Sequence, residues 1–181
     1  MSAMKSRPLF RHLPFGEARP YPRNRVLLHW LSAIIILWAT FSGFGVALLP
    51  EDNAVRVWVE SLNPQLSTLF IPLFLWRLWL YLRARPEAAH NGRQKIAKVV
   101  HATLYLLIVG VLLTGVLMMS HPVVLLALMP LPQLIHSVGA LAQLHSLHHA
   151  LCAALGVLVA VHILAVLQHQ LAGHSVLYRM K

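Results

Sequence analysis

Charge is what this chain has least of. Only 11% of its 181 residues are charged, where a soluble domain carries about 25%. A soluble globular enzyme does not fit that deficit. Nor does a disordered chain, which would be poor in apolar residues, because 58% of this one is hydrophobic. Acid is scarcest: 5 Asp+Glu stand against 15 Lys+Arg, for a formal net charge of +10. The single cysteine, Cys152, lies in an apolar run. It excludes an internal disulfide and reads as a small buried residue. A basic balance can signal nucleic-acid binding, but that needs basic side chains mixed with polar and aromatic ones on a solvated face. Here they sit in blocks between apolar runs. That is a membrane pattern and calls for no nucleic-acid partner.

Roughly 20 apolar residues cross the hydrocarbon core as a helix. Four stretches qualify: residues 26–49, 64–82, 99–119 and 148–169. Continuous runs, without period-two alternation, select helices over a barrel. The expected fold is an all-α membrane protein, a four-transmembrane-helix up-down bundle. A further apolar stretch, 123–144, is interrupted by Pro130 and Pro132. It reads as an interfacial loop with short helical pieces, with a fifth spanning helix as the alternative. Pro72 is expected to kink the second span.

Orientation follows from Lys and Arg. Lys5, Arg7, Arg11, Arg19, Arg23 and Arg25 precede the first span. Arg83, Arg85, Arg93, Lys95 and Lys98 separate spans two and three, and Arg179 and Lys181 follow span four. The opposite side has Arg56, with Glu51, Asp52 and Glu60. Both termini are therefore expected to be cytoplasmic, in a multi-pass protein whose basic face meets anionic lipid. No apolar core with a cleavage site precedes residue 26, so no removable signal peptide is expected. The expected division is a basic N-terminal segment (1–25), a four-helix membrane domain (26–170) and a cytoplasmic tail (171–181).

The chain is rich in histidine, with 12. His29, His101, His148, His149, His162 and His169 fall in the spans, with Arg77 but without any Asp or Glu. Ionisable groups at membrane depth usually face a partner or a ligand. Without acids, a cation pathway is weakened. Neutral imidazole is the commonest metal ligand and an axial ligand of haem iron. His148 and His162 are fourteen positions apart. That is about 21 Å along a helix, with directions within roughly 40° of each other. His29 and His162 fall at similar depth on antiparallel spans and could grip one haem. His148 lies near the opposite surface.

At these residues the chain resembles the four-helix bacterial cytochrome b561 family. The matching pieces are RVLLHW around His29, WRLWLYLRARP ending span two, and HATLYLLIVGVLLTGVLMM from His101. HHALCAALGVLVAVHILAVLQH contains His148 and His162, and SVLYRMK closes the chain. Together they run over about residues 23–181. The resemblance implies an inner-membrane cytochrome with two haem b groups, each held by two histidines, exchanging electrons with quinone. Some members oxidise superoxide at the outer face and pass the electron to ubiquinone. By the resemblance, His29 and His162 are axial ligands of the cytoplasmic-side haem, and His148 is one ligand of the outer haem. The other outer ligand is expected fourteen residues before Arg77, at Asn63, and no His lies between His29 and His90. Asn is no strong haem ligand. The outer haem is then lost, or five-coordinate on His148, or ligated by His145, His149, His136 or His121.

Other residues take quieter expectations. His101 suits a backbone or propionate hydrogen bond, and His169 a propionate or quinone pocket or plain surface. Arg77 suits a haem propionate or snorkelling to headgroups. His12, His90 and His174 read as loop or interfacial residues. Trp30, Trp38, Trp58, Trp76 and Trp79 suit aromatic belts, and Gly43, Gly45, Gly110 and Gly115 suit close helix approach. The leading expectation is a membrane b-type cytochrome moving electrons to or from the quinone pool, with a possible redox partner protein. The alternatives are a His-rich membrane transition-metal transporter or chaperone, and a haem-free structural subunit.

Overall fold

The computed structural model describes residues 21–84, 92–119, 123–125 and 129–172. Four long helices carry the fold: α1 (Arg23–Val46), α2 (Ala54–Leu82), α3 (Gly92–Leu117) and α4 (Val138–Leu171). All four are long and apolar enough to cross a membrane. Their surfaces agree with that medium. Leu27, Phe41 and Leu106 are each about 70% exposed or more, a display that water would penalise and acyl chains would not.

Helix α1 packs against α2, and α3 against α4; α2 joins the two pairs by touching α3. The core is small because each helix turns much of its girth to lipid. Phe70 and Phe74 of α2, Ile108 of α3 and Leu155 of α4 form its centre, with Ile35 and Ile36 of α1 beside it. Lipid gives helices no hydrophobic reason to associate, so small residues and polar contacts hold the pairs. A Cβ added at Gly110 would come within 3.2 Å of Leu151, and one at Gly156 within 3.4 Å of Thr40. Gly43 and Gly45 differ from expectation. A Cβ there would meet nothing within 4 Å, so they bring no helix closer.

Helix α2 starts ten residues earlier than the apolar run suggests and carries both Pro64 and Pro72 inside it. Asn53 caps it by accepting from the Val55 N–H. Side chains take up carbonyls around Pro64: Gln65 donates to Ser61 O at 3.2 Å and Thr68 to Pro64 O at 2.7 Å. Neither is the Glu60 carbonyl, the one that Pro64 leaves without its helical donor.

The interrupted stretch also differs from expectation. In place of short helical pieces, strands β1 (Val123–Leu125) and β2 (Met129–Leu131) pair antiparallel, with Val124 opposite Pro130. An isolated two-stranded ribbon has only edges, where a proline is tolerated. Residues 132–137 have no regular secondary structure, and α4 begins at Val138, capped by Ser137 accepting from Ala140 N–H at 3.4 Å. The long helix α4 has 34 residues, about 51 Å. It outruns a hydrocarbon core of about 30 Å.

Candidate haem site and a second histidine cluster

Two polar clusters sit in the bundle, one toward each end. The first gathers at the end where α1 starts and α2 finishes, between the basic segments. His29 lies two turns into α1, and Arg77 lies just over one turn before the end of α2. Arg77 Nη2 stands 3.0 Å from His29 Nδ1. Arg77 Nε donates to the Tyr105 hydroxyl of α3 at 3.2 Å, and its guanidinium lies over the Tyr105 ring. Tyr105 stacks on Tyr81 with centroids 4.4 Å apart. His101 of α3 and His162 of α4 meet edge to face, with ring centroids 5.3 Å apart. His29 is within electrostatic range of both as well as of Arg77. His101 Nδ1 donates to Ala97 O at 2.7 Å.

All four helices thus contribute to one cluster: His29, Arg77, Tyr105 and His162, which are half-buried, with His101 exposed at its edge. His169 is not brought in by any of these contacts. It sits exposed in the last turn of α4, where its ring faces the favourable negative end of the helix dipole. Tyr105 and Tyr81 were not singled out from the sequence. The signal was present in the one-turn spacing of His101 and Tyr105.

The second cluster is at the opposite end. His148 is half buried against α3, not turned toward α2. Its Nδ1 is 3.0 Å from Thr114 Oγ1, and its Nε2 is 3.4 Å from Cys152 Sγ, one turn further along α4. Gly115 leaves room for the ring, because a Cβ there would lie 3.4 Å from His148 Cε1. Its imidazole neighbours, His145 and His149, are on the same helix. Asn63 is engaged elsewhere. Its Oδ1 accepts from Trp38 Nε1 and Ser42 Oγ, both at 3.2 Å, which ties α2 to α1. His136 lies exposed on the irregular segment before α4. His12, His90, His121 and His174 lie outside the described residues.

A haem in a membrane bundle needs ligands from two helices, on opposite faces of the macrocycle. The first cluster fits that need. His29 and His162 come from different helices at one depth, and a guanidinium stands by for carboxylates. Further along α1 and α4, toward the non-basic end, lies an apolar cleft of about 620 Å³ lined by residues such as Leu37, Phe44, Gly156 and Ile163; neither His29 nor His162 lines it. Among the described residues, the imidazoles beside His148 are His145 and His149, which share its own helix.

A bundle of four membrane-spanning helices with an intramembrane histidine pair is the architecture of a membrane b-type cytochrome. The family model for the prokaryotic cytochrome b561 matches residues 21–181, and the chain belongs to that family, whose members are multi-pass inner-membrane proteins that bind b-type haem and transfer electrons. No curated protein matches it.

Proposed function

We propose that this protein carries one haem b per chain, held between His29 of α1 and His162 of α4, and passes electrons between the quinone pool and a redox partner. The observation that carries this reading is the convergence of all four helices on His29, Arg77, Tyr105, His101 and His162 at the basic end. Haem iron would supply a one-electron couple when bound, and His29 and His162 would hold it. The protein's residues do the rest. His29 and His162 fix orientation from two helices. Arg77 is held ready by Tyr105 to meet a propionate. Lipid-facing side chains keep the site dry.

A guanidinium only donates, so in the observed contact His29 Nδ1 accepts. A neutral ring has a single lone pair. With a haem bound, His29 would hold it through a ring nitrogen and Arg77 would be free to meet a carboxylate. The basic end is read as cytoplasmic, with both termini on that side, by the positive-inside rule. His101 is placed beside the propionates and His169 at a quinone-facing rim.

Superoxide oxidation draws less support. Steering an anion needs free positive charge on the opposite face. Arg56, the basic residue of that side, is bound by Glu60 at 2.8 Å and by Leu49 O at 2.9 Å. The deciding experiment is a reduced-minus-oxidised spectrum of the purified protein with haem quantitation. A b-type difference band at one haem per chain, reduced anaerobically by ubiquinol, supports the reading. A colourless protein despite haem supply overturns it.

A further inference from the structure

Arg77 lies in the middle of an aromatic stripe on α2. Phe74, Arg77 and Tyr81 follow one another at helical spacing, so they share one face. Tyr105 of α3 lies against that face. Its ring meets Phe74 with centroids 5.8 Å apart and stacks on Tyr81 at 4.4 Å. Phe74 is itself buried at the core centre with Phe70. The Tyr105 ring is thus gripped on both sides of Arg77, by rings whose places do not depend on the guanidinium.

Arg77 has more freedom. Its stem is long, and it lies just over one turn before the end of α2, within reach of the headgroups by snorkelling. Two contacts with Tyr105 draw it inward. The hydroxyl accepts from Arg77 Nε at 3.2 Å, and the ring centroid is 5.5 Å from the guanidinium carbon. Both attract a cation. The ring sets the position, and the guanidinium follows it.

The charge held there has a consequence for a haem at His29. Among the described residues, the carboxylates Glu51, Asp52 and Glu60 lie at the opposite end of the bundle, so none of them offsets Arg77. A fixed charge acts strongly in a medium of low dielectric. Reduction by one electron removes one positive charge from a haem. A guanidinium beside it therefore favours the reduced state. Pairing that guanidinium with a propionate acts in the same direction, because it offsets a negative charge that favours the oxidised state.

We propose that Tyr105 is the positioning residue that holds the Arg77 guanidinium beside the haem and so raises its midpoint potential. The inference rests on the His29–His162 haem reading and adds the residue that tunes it. Tyr105 acts on Arg77, and Arg77 on the site.

The test is an anaerobic redox titration of the full-length haem-loaded protein in lipid nanodiscs, with haem content measured in every variant. Tyr105→Phe keeps the ring between Phe74 and Tyr81 and removes the hydroxyl acceptor. It is expected to shift the reduced-to-oxidised ratio at a given potential toward oxidised by roughly three- to tenfold, a midpoint lower by about 28–59 mV for one electron. Arg77→Gln should lower the midpoint at least as far. With Arg77→Gln already present, Tyr105→Phe should move it no further. The proposal is overturned if Tyr105→Phe titrates at the wild-type midpoint, or if it lowers the midpoint as much in the Arg77→Gln protein as in wild type. Haem bound at full content with an unmoved midpoint defeats this inference alone. A wild type that binds no haem defeats the haem reading and this inference with it.

Discussion

Arg77 of α2 meets His29 of α1 at 3.0 Å through Nη2, and its Nε donates to the Tyr105 hydroxyl of α3. One side chain therefore links three helices beside the proposed haem. A charge-assisted hydrogen bond of this kind contributes roughly 1.5–3 kcal/mol. Arg77→Gln is expected to speed haem loss to a scavenger protein by roughly tenfold or more, with Arg77→Lys intermediate. Equal loss rates in all three proteins would remove Arg77 from the site.

Removing an axial ligand should remove the cofactor. His29→Ala and His162→Ala are each expected to lack the b-type difference band, while His101→Ala and His169→Ala keep it. Haem quantitation per chain checks this. A normal bis-histidine spectrum in His162→Ala would refute the pairing.

Asn63 ties α1 to α2 through Ser42 and Trp38. Intramembrane hydrogen bonds of this kind contribute about 0.6 kcal/mol on average, up to about 1.7. Asn63→Leu is expected to lower stability by that order in detergent unfolding. Asn63→His should add no second haem, because position 63 faces α1 while His148 faces α3. A second haem gained by that variant would contradict this packing.

Gly110 sits where α3 meets α4 most tightly, with Leu151 in the way of any Cβ. Gly110→Val should cost about 1–3 kcal/mol. Leu151→Ala in the same chain should recover part of it, as a double-mutant cycle will show. A similar change at Gly43 should be silent.

Topology has its own test. A green fluorescent protein fused after Lys181 should fluoresce in cells, and alkaline phosphatase fused there should be inactive. The reverse pattern would invert the orientation read from the basic blocks.

Much was legible in the sequence because its signals are local. Hydropathy alone marks four spans, since lipid demands apolar length whatever the packing. The spacing of His148 and His162 puts both on one helix. Boundaries were less legible. Pro64 looked like a start, yet α2 runs through it from Ala54, where Asn53 caps the helix by accepting from the Val55 N–H. Ser137 is a capping residue whose effect depends on where α4 can emerge from the bilayer.

What the sequence by itself determined is the medium, the number of helices, the family and a histidine inventory. It did so because burial in lipid and ligand chemistry are written in residue type and spacing. Only the tertiary structure decided which side chains meet. Helix rotation turned Asn63 to Ser42 and away from His148. It also drew Arg77 and Tyr105 to His29, and it set His148 of α4 against Thr114 of α3. Those pairings depend on the rotation of one helix against its neighbour, and packing between helices sets that rotation.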